Sequence, residues 1–206
     1  MGGLNPQAVR YMVDVTGGYG RIVWMPTHDS EHEVAYNRDQ RPSVAVSRNG
    51  ALLPETLAIL ALVAEHGLTL ATGHVTPAET LMILAEARKR GITRLIVTHP
   101  LLDPQFTWMS VTELREAVAL GALVEITAGS LFREGPGRDR VLEAARALGP
   151  DSLFVASDSG LVGTPNHTDA LVMAARVLRQ NGFDERALDT MFKHNPARLL
   201  GLEAQR

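Results

Sequence analysis

Three polar residues, each at the end of an apolar segment, are the first candidates for chemistry. They are His74 in ATGH, His99 in VTHP and Asp158 in ASDSG. If these segments are parallel strands, their carboxyl ends lie together, and side chains distant in sequence meet there. Two imidazoles and a carboxylate suit Zn²⁺, and iron or manganese would also accept them. The pattern therefore predicts a divalent-metal site formed by these three residues.

Each of the three residues also has an ordinary structural explanation. A histidine at a strand end can hydrogen-bond a loop carbonyl, and an aspartate before Ser-Gly can form an Asx turn or cap a helix. Any one of them taken singly would be explained in this way. Their recurrence at the same point of three strand-to-helix units favours metal ligation.

Two further histidines lie four residues apart in a loop rich in Glu and Asp. They are His28 and His32. Histidines solvated in a loop explain this pair as well as ligands or substrate contacts do. We retain His32 as a fourth candidate metal ligand.

The elements that must position these residues alternate regularly. Amphipathic segments such as residues 77–91 and 139–149 each end in glycine, as helices often do. They separate short apolar segments rich in β-branched residues, which are typical of buried parallel strands: 21–26, 68–74, 94–100, 122–129 and 152–160. This alternation predicts an α/β fold, and strand-end ligands favour a TIM barrel.

One segment interrupts the alternation. Residues 27–53 are polar at first and then read SVAVS followed by Asn49-Gly50, a strong signal for a two-residue hairpin turn. We predict a hairpin-containing excursion from the barrel within a single domain spanning residues 1–206.

Composition narrows the range of partners. The chain has 206 residues, a net charge of -3 and no cysteine, so metal ligands must be nitrogen or oxygen. A pI near 6.2 offers no basic field for nucleic acid, and no apolar run is long enough to span a membrane. We expect a cytoplasmic protein that acts on a small-molecule substrate.

The segments TGHVTPAE, LIVTHP, FVASDSG and HNPARLLGL resemble, in this order, the later half of the amidohydrolase superfamily of metal-dependent TIM-barrel hydrolases. The resemblance implies that the fifth and sixth barrel strands end in the metal-binding His74 and His99, and the eighth in Asp158. It also implies that Asp158 acts as the catalytic base. His99 is a second candidate catalytic residue, which could polarise the substrate oxygen.

The sequence also departs from the superfamily pattern. It contains no His-x-His pair, and the strand RIVWMPT has no lysine to bridge two metal ions. Aligned on the matching motifs, the chain would lack the first two or three βα units, so we expect an N-terminally truncated, partial (β/α)8 barrel. Its unpaired edges would favour association with another chain, such as a homo-oligomer.

Two functions remain open on these grounds. The first is a hydrolase in which metal-activated water attacks an amide, cyclic amide or ester bond. The alternative is a non-catalytic or truncated binding or structural subunit that keeps the fold with an incomplete metal site.

Overall fold

A computed structural model describes residues 3–132 and 134–202. In chain order its strands are β1 (Ile22–Trp24), β2 (Ser47–Arg48), β3 (Ala51–Leu52), β4 (Thr69–Ala71), β5 (Leu95–Val97), β6 (Ala122–Thr127) and β7 (Leu153–Ala156). Five of these strands form one parallel sheet in the order β1-β4-β5-β6-β7. Each lies within one of the five segments predicted from the sequence, so the predicted α/β alternation is confirmed.

One helix precedes the first strand, and the others connect the strands or follow the last one. They are α1 (Pro6–Asp14), α2 (Glu31–Tyr36), α3 (Pro54–Glu65), α4 (Pro77–Lys89), α5 (Val111–Ala119), α6 (Gly129–Phe132), α7 (Pro136–Leu148), α8 (His167–Gln180), α9 (Glu185–Asp189) and α10 (Asn195–Leu200). A 3-10 turn at Pro150–Ser152 precedes β7, and a π-helical turn at Thr190–His194 joins α9 to α10. None of the helices in the described ranges is long and apolar enough to cross a membrane.

The two faces of the sheet have different partners because side chains alternate along each strand. Residues of the outer face, such as Leu70, Leu95 and Val124, join the large core that the helices cover. The inner face forms a smaller cluster in which Leu199 of α10 packs against the strands; its strand members are Ala71, Ile96, Leu123 and Phe154. Helices outside and a side-chain layer inside are the architecture of a partial (β/α)8 barrel.

The excursion after β1 is ordered by backbone contacts. Ser30 forms an isolated bridge with Val44, and β2 pairs with β3 across the turn at Asn49 and Gly50. Both turn residues have positive φ, 51° and 76°, as a two-residue hairpin turn requires. The predicted hairpin is therefore present.

A capping box fixes the start of α4, the helix that follows β4. The Thr76 hydroxyl accepts the Glu79 backbone N–H, and the Glu79 carboxylate accepts the Thr76 N–H. Glu79 also accepts a hydrogen bond from Ser47 Oγ at 2.7 Å, which joins the hairpin to the barrel. The carboxylate of Glu79 is thus used structurally.

Candidate metal centre

A cavity of about 560 Å³ opens at the carboxyl end of the sheet. His74 is the third residue after β4, and His99 and Asp158 are each the second residue after β5 and β7. All three line this cavity, together with His28, Phe106 and Glu125. The fold therefore brings the three sequence-predicted candidates to one site, as the strand-end pattern requires.

The backbone before His74 is held by three strand ends. Gly73 has φ of +68°, and a Cβ there would lie 2.4 Å from the carbonyl oxygens of Met25 and Pro26. The His74 N–H donates to the Pro26 carbonyl at 2.9 Å, and the Gly73 N–H donates to Thr98 Oγ1 at 3.0 Å. Only glycine fits at position 73, and its contacts fix the direction of the following imidazole.

The imidazoles of His74 and His99 face each other. Their Nε2 atoms are 3.1 Å apart, and both residues are buried. Burial lowers the pKa of His74 to about 4, even though the adjacent carboxylate of Glu33 opposes the shift. Burial also lowers the pKa of His99, while the charge of Asp158 acts in the opposite direction. Both rings are consequently neutral at pH 7, the state that a metal requires of histidine.

Glu33 holds His74 in one tautomer. This residue is in the first turn of α2, and its carboxylate accepts hydrogen bonds from Nδ1 of His74 at 2.5 Å and Nδ1 of His28 at 2.9 Å. Burial alone would raise the pKa of Glu33, but these two bonds outweigh it and lower the pKa. With Nδ1 of His74 donating to an anion, its Nε2 is left with a lone pair directed at His99.

His99 occupies a strained backbone position. Its φ is +20°, which is costly for a residue with a Cβ and is found preferentially at functional sites. The carboxylate of Glu125, a residue of β6, accepts the His99 N–H at 3.1 Å. The Nδ1 atom of His99 is buried and has no hydrogen-bond partner among the described residues.

Glu125 has an unusual protonation equilibrium. Part of its side chain is accessible from the cavity, but most of its surroundings are protein. Burial raises its pKa to about 7, the hydrogen bond from His99 partly opposes this, and the nearby charge of Asp158 raises it further. Glu125 is therefore a carboxyl group that can exchange a proton near neutral pH.

Asp158 is the most exposed of the predicted ligands and is also strained. Its φ is +50°, and its side chain lines the cavity from the loop after β7. The positive φ values of His99 and Asp158 mean that the chain turns sharply after β5 and after β7, the two strands on either side of β6. Both turns aim a ligand-type side chain into the same space.

The spacing of the two imidazoles fits a divalent ion. In a tetrahedral site with Zn–N bonds of about 2.0–2.1 Å, two ligand nitrogens lie about 3.3 Å apart. The separation of 3.1 Å between Nε2 of His74 and Nε2 of His99 is close to that value. If one ring instead donates a proton to the other, the buried Nδ1 of His99 is left as an unpaired acceptor. If His99 instead carries its proton on Nδ1, the lone pairs of the two Nε2 atoms face each other, and a cation bound by both atoms would remove that repulsion.

A second grouping of ligand atoms shares His74. One ligand atom from each of His28, Glu33 and His74 lies within 4.8 Å of the others. The contacts of 2.5 Å and 2.9 Å inside this group are hydrogen-bond distances. Glu33 is thus best placed as the carboxylate that orients His74, and His28, with a side chain 61% exposed, lies at the rim.

His32 is placed differently from the other three predicted ligands. Its Nε2 hydrogen-bonds the carbonyl oxygen of Pro104 at 3.2 Å, and it is not among the described residues that line the cavity. The helix α2 therefore directs Glu33 toward the site and His32 toward the loop after β5. This geometry does not support ligation by His32.

Two functional candidates escaped the sequence analysis. Glu33 contacts His74 across 41 positions, and no local pattern reports such a contact. Glu125 carried a usable signal, since it is the single charged residue in the apolar strand ALVEIT. A charge in a buried strand needs a partner or a function.

Several solved structures have a fold similar to that of this chain. An amidohydrolase from Pseudomonas aeruginosa matches with a TM-score of 0.66 and 15% identity, covering 95% of this chain and 67% of that one. An organophosphate hydrolase engineered from a weak promiscuous lactonase matches with a TM-score of 0.63 and 17% identity, covering 95% and 63%. The phosphotriesterase homology protein of Escherichia coli, which carries phosphate in its active site, matches with a TM-score of 0.59 and 18% identity. The match covers 96% of this chain and 67% of that one.

This likeness confirms the partial (β/α)8 barrel fold that the sequence motifs predict. The chain spans 63% of the length of the engineered hydrolase and 67% of the other two. No curated protein matches the chain significantly. A family model matches residues 1–125, and the chain belongs to that family, DUF6282, a family of unknown function.

Proposed function

We propose that this protein is a metal-dependent hydrolase whose ion is held by His74, His99 and Asp158. Zinc is the preferred ion because two imidazoles and a carboxylate are a common zinc ligand set, and iron or manganese is the alternative. The bond attacked is an amide, a cyclic amide or an ester. The proposal draws on the ligand geometry and on the fold shared with hydrolases of this type.

The observation that carries the proposal is the opposed pair of imidazoles. Nε2 of His74 and Nε2 of His99 are 3.1 Å apart and buried, and the other nitrogen of His74 is bound to Glu33. A carboxylate behind a histidine fixes the tautomer and increases ligand basicity at metal sites. A core histidine pair with a purely structural role would place one proton between the two Nε2 atoms, and the buried Nδ1 of His99 would then be an acceptor without a partner.

When bound, the ion supplies an activated water and polarises the oxygen of the scissile bond. Proton transfer and the exclusion of water are assigned to residues of the chain. Asp158, at the cavity wall, is the proposed base that takes the proton of the attacking water and returns it to the leaving group. Glu125 is a second carboxyl that can hold or release a proton near neutral pH. Phe106, with its ring centroid 4.7 Å from that of His74, excludes water from the rings.

Metal analysis tests the proposal directly. The purified protein is stripped with a chelator, titrated with zinc, iron(II) or manganese(II), and desalted, and the bound metal is measured by plasma mass spectrometry. We expect about one equivalent of metal, and a loss of at least tenfold in affinity for His74→Ala and for His99→Ala. His194→Ala, at an exposed position of the π-helical turn, is the matched control.

Less than about a tenth of an equivalent with all three metals would refute the hydrolase proposal. It would favour the non-catalytic alternative, in which the fold is kept without a working centre. If metal binds, a panel of aryl esters, lactones, amides and cyclic amides assayed with and without chelator identifies the bond type.

A further inference from the structure

A second cavity of about 610 Å³ adjoins the metal cavity. The two share part of their walls, because Leu102, Asp158 and Leu161 line both. Both volumes are in the range of small-molecule sites. A substrate whose scissile bond lies beside His99 and Asp158 would therefore extend its remaining part into the second cavity.

Thr127 offers an unused hydroxyl in this second cavity. Leu123, Glu125 and Thr127 alternate along β6 on the inner face, and Thr127 is the one nearest the mouth. The residue is 2% exposed, and its Oγ1 has no hydrogen-bond partner among the described residues. A buried hydroxyl without a partner is costly unless a ligand supplies one.

Arg138 lines the same cavity from the first turn of α7 and is also incompletely paired. Its Nε is buried without a partner in the described part of the chain, and its side chain is 18% exposed. Its Nη2 lies 3.1 Å from Glu134 Oε1, but the Glu134 side chain is 86% exposed, so water weakens this ion pair. The guanidinium thus has one buried N–H without a partner and lies at the wall of the cavity, as a group that binds an anion would.

The start of α7 adds backbone donors to the same space. Gly135, Pro136 and Gly137 line the cavity, and Gly135 is the N-cap residue. Because Gly135 has no side chain, it cannot accept hydrogen bonds from the first N–H groups of α7, a helix of 13 residues. The positive end of the α7 dipole therefore faces the cavity beside Arg138.

We infer that the second cavity binds an oxyanion group of the substrate, a carboxylate or a phosphate, through Arg138 and Thr127. This inference rests on the proposed hydrolase function and narrows its substrate class to small acids whose hydrolysable bond reaches the metal centre. An uncharged substrate of the same shape would bury these donors without partners, so the site discriminates against it.

Calorimetric titration with succinate and with inorganic phosphate, at constant ionic strength, tests the inference on the full chain. We expect wild type to bind at least one anion and Arg138→Gln to weaken that binding about tenfold or more, the loss typical of a charged hydrogen bond. Arg146→Gln, on the exposed side of the same helix, should leave affinity within about twofold. Thr127→Val should weaken anion binding, whereas Thr127→Ser, which keeps the hydroxyl, should bind with nearly the affinity of wild type.

The two anions distinguish the chemical source: tighter succinate binding assigns a carboxylate, and tighter phosphate binding assigns a phosphate. The inference is overturned if neither anion binds, or if both Arg138→Gln and Thr127→Val bind like wild type. A zinc titration of the same samples reports on the metal centre separately. Zinc-independent anion binding that requires Arg138, in a protein that takes up no metal, would leave the oxyanion site standing and refute the hydrolase proposal alone.

Discussion

Replacing Glu125 with glutamine should change the pH dependence of stability. Burial raises the pKa of Glu125 from 4.5 to about 7. Between these two values the folded protein holds a proton that the unfolded chain has released, so the free energy of unfolding falls as pH rises. The stability that the protonated carboxyl contributes is complete below pH 4.5 and is lost as pH rises through 7.

The size of the effect follows from the pKa difference. Each pKa unit corresponds to about 1.4 kcal/mol, so the shift of Glu125 is worth at most about 3 kcal/mol. Because the side chain is partly accessible from the cavity, we expect about 2 kcal/mol. Glutamine keeps an oxygen that can accept the His99 N–H, and it has no proton to lose.

The assay is urea unfolding followed by circular dichroism at pH 5 and pH 8, with chelator present. From pH 5 to pH 8, the difference in free energy of unfolding between Glu125→Gln and wild type should shift by about 2 kcal/mol in favour of the variant. Glu116→Gln, on the exposed face of α5, controls for the chemical change itself. If Glu125→Gln loses stability equally at both pH values, the carboxyl titrates normally and the burial argument is wrong.

Three further outcomes follow from the same geometry. Gly73→Ala places a Cβ 2.4 Å from two carbonyl oxygens and should cost about 2 kcal/mol or more in urea unfolding, whereas Gly137→Ala, with open space around it, should not. Glu33→Gln should weaken zinc binding about 10–100-fold in a competition titration, and Glu31→Gln, exposed on the same helix, should not. Burial lowers the pKa of His74 from 6.5 to about 4, so the unfolded chain binds the proton first and stability falls as pH falls from 6.5 to 4. His74→Gln should flatten this acid limb of the unfolding profile; an unchanged limb would show that His74 is protonated in the folded state.

The barrel and the meeting of His74, His99 and Asp158 were predictable because both depend on local pattern. Apolar β-branched segments identify the strands, and the polar residue that ends each segment identifies the shared edge. The exact strand ends were not predictable. β4 ends at Ala71, and Gly73 with its positive φ turns the chain before His74 is reached.

Contacts between distant elements set the rest of the site, and single-sequence patterns do not encode them. Glu33 reaches His74 because the excursion after β1 folds back as α2, and His32, its neighbour, is carried the other way. Arg138 lies on a helix whose exposed arginines look alike in sequence. Only the fold shows that its Nε is buried beside the cavity.

The two buried glutamates of the centre have opposite pKa shifts for one physical reason. Glu33 accepts hydrogen bonds from two imidazoles, so its charge is compensated and its pKa is lowered. Glu125 accepts a hydrogen bond from the backbone N–H of His99. This one bond stabilises the carboxylate less than burial destabilises it, so the pKa of Glu125 is raised. Groups with such divergent environments are suited to different roles, one as a fixed anion and the other as a proton carrier.

The difference between the pKa values of these two glutamates also depends on whether a metal ion is bound. A divalent charge beside His99 would favour the ionised form of Glu125 and lower its pKa. The raised pKa therefore belongs to the metal-free protein, which is why the comparison of Glu125→Gln with wild type requires chelator. Adding zinc should reduce the pH-dependent difference in free energy of unfolding between the two proteins. The ion would then stabilise the ionised carboxylate of Glu125, which the backbone N–H alone does not.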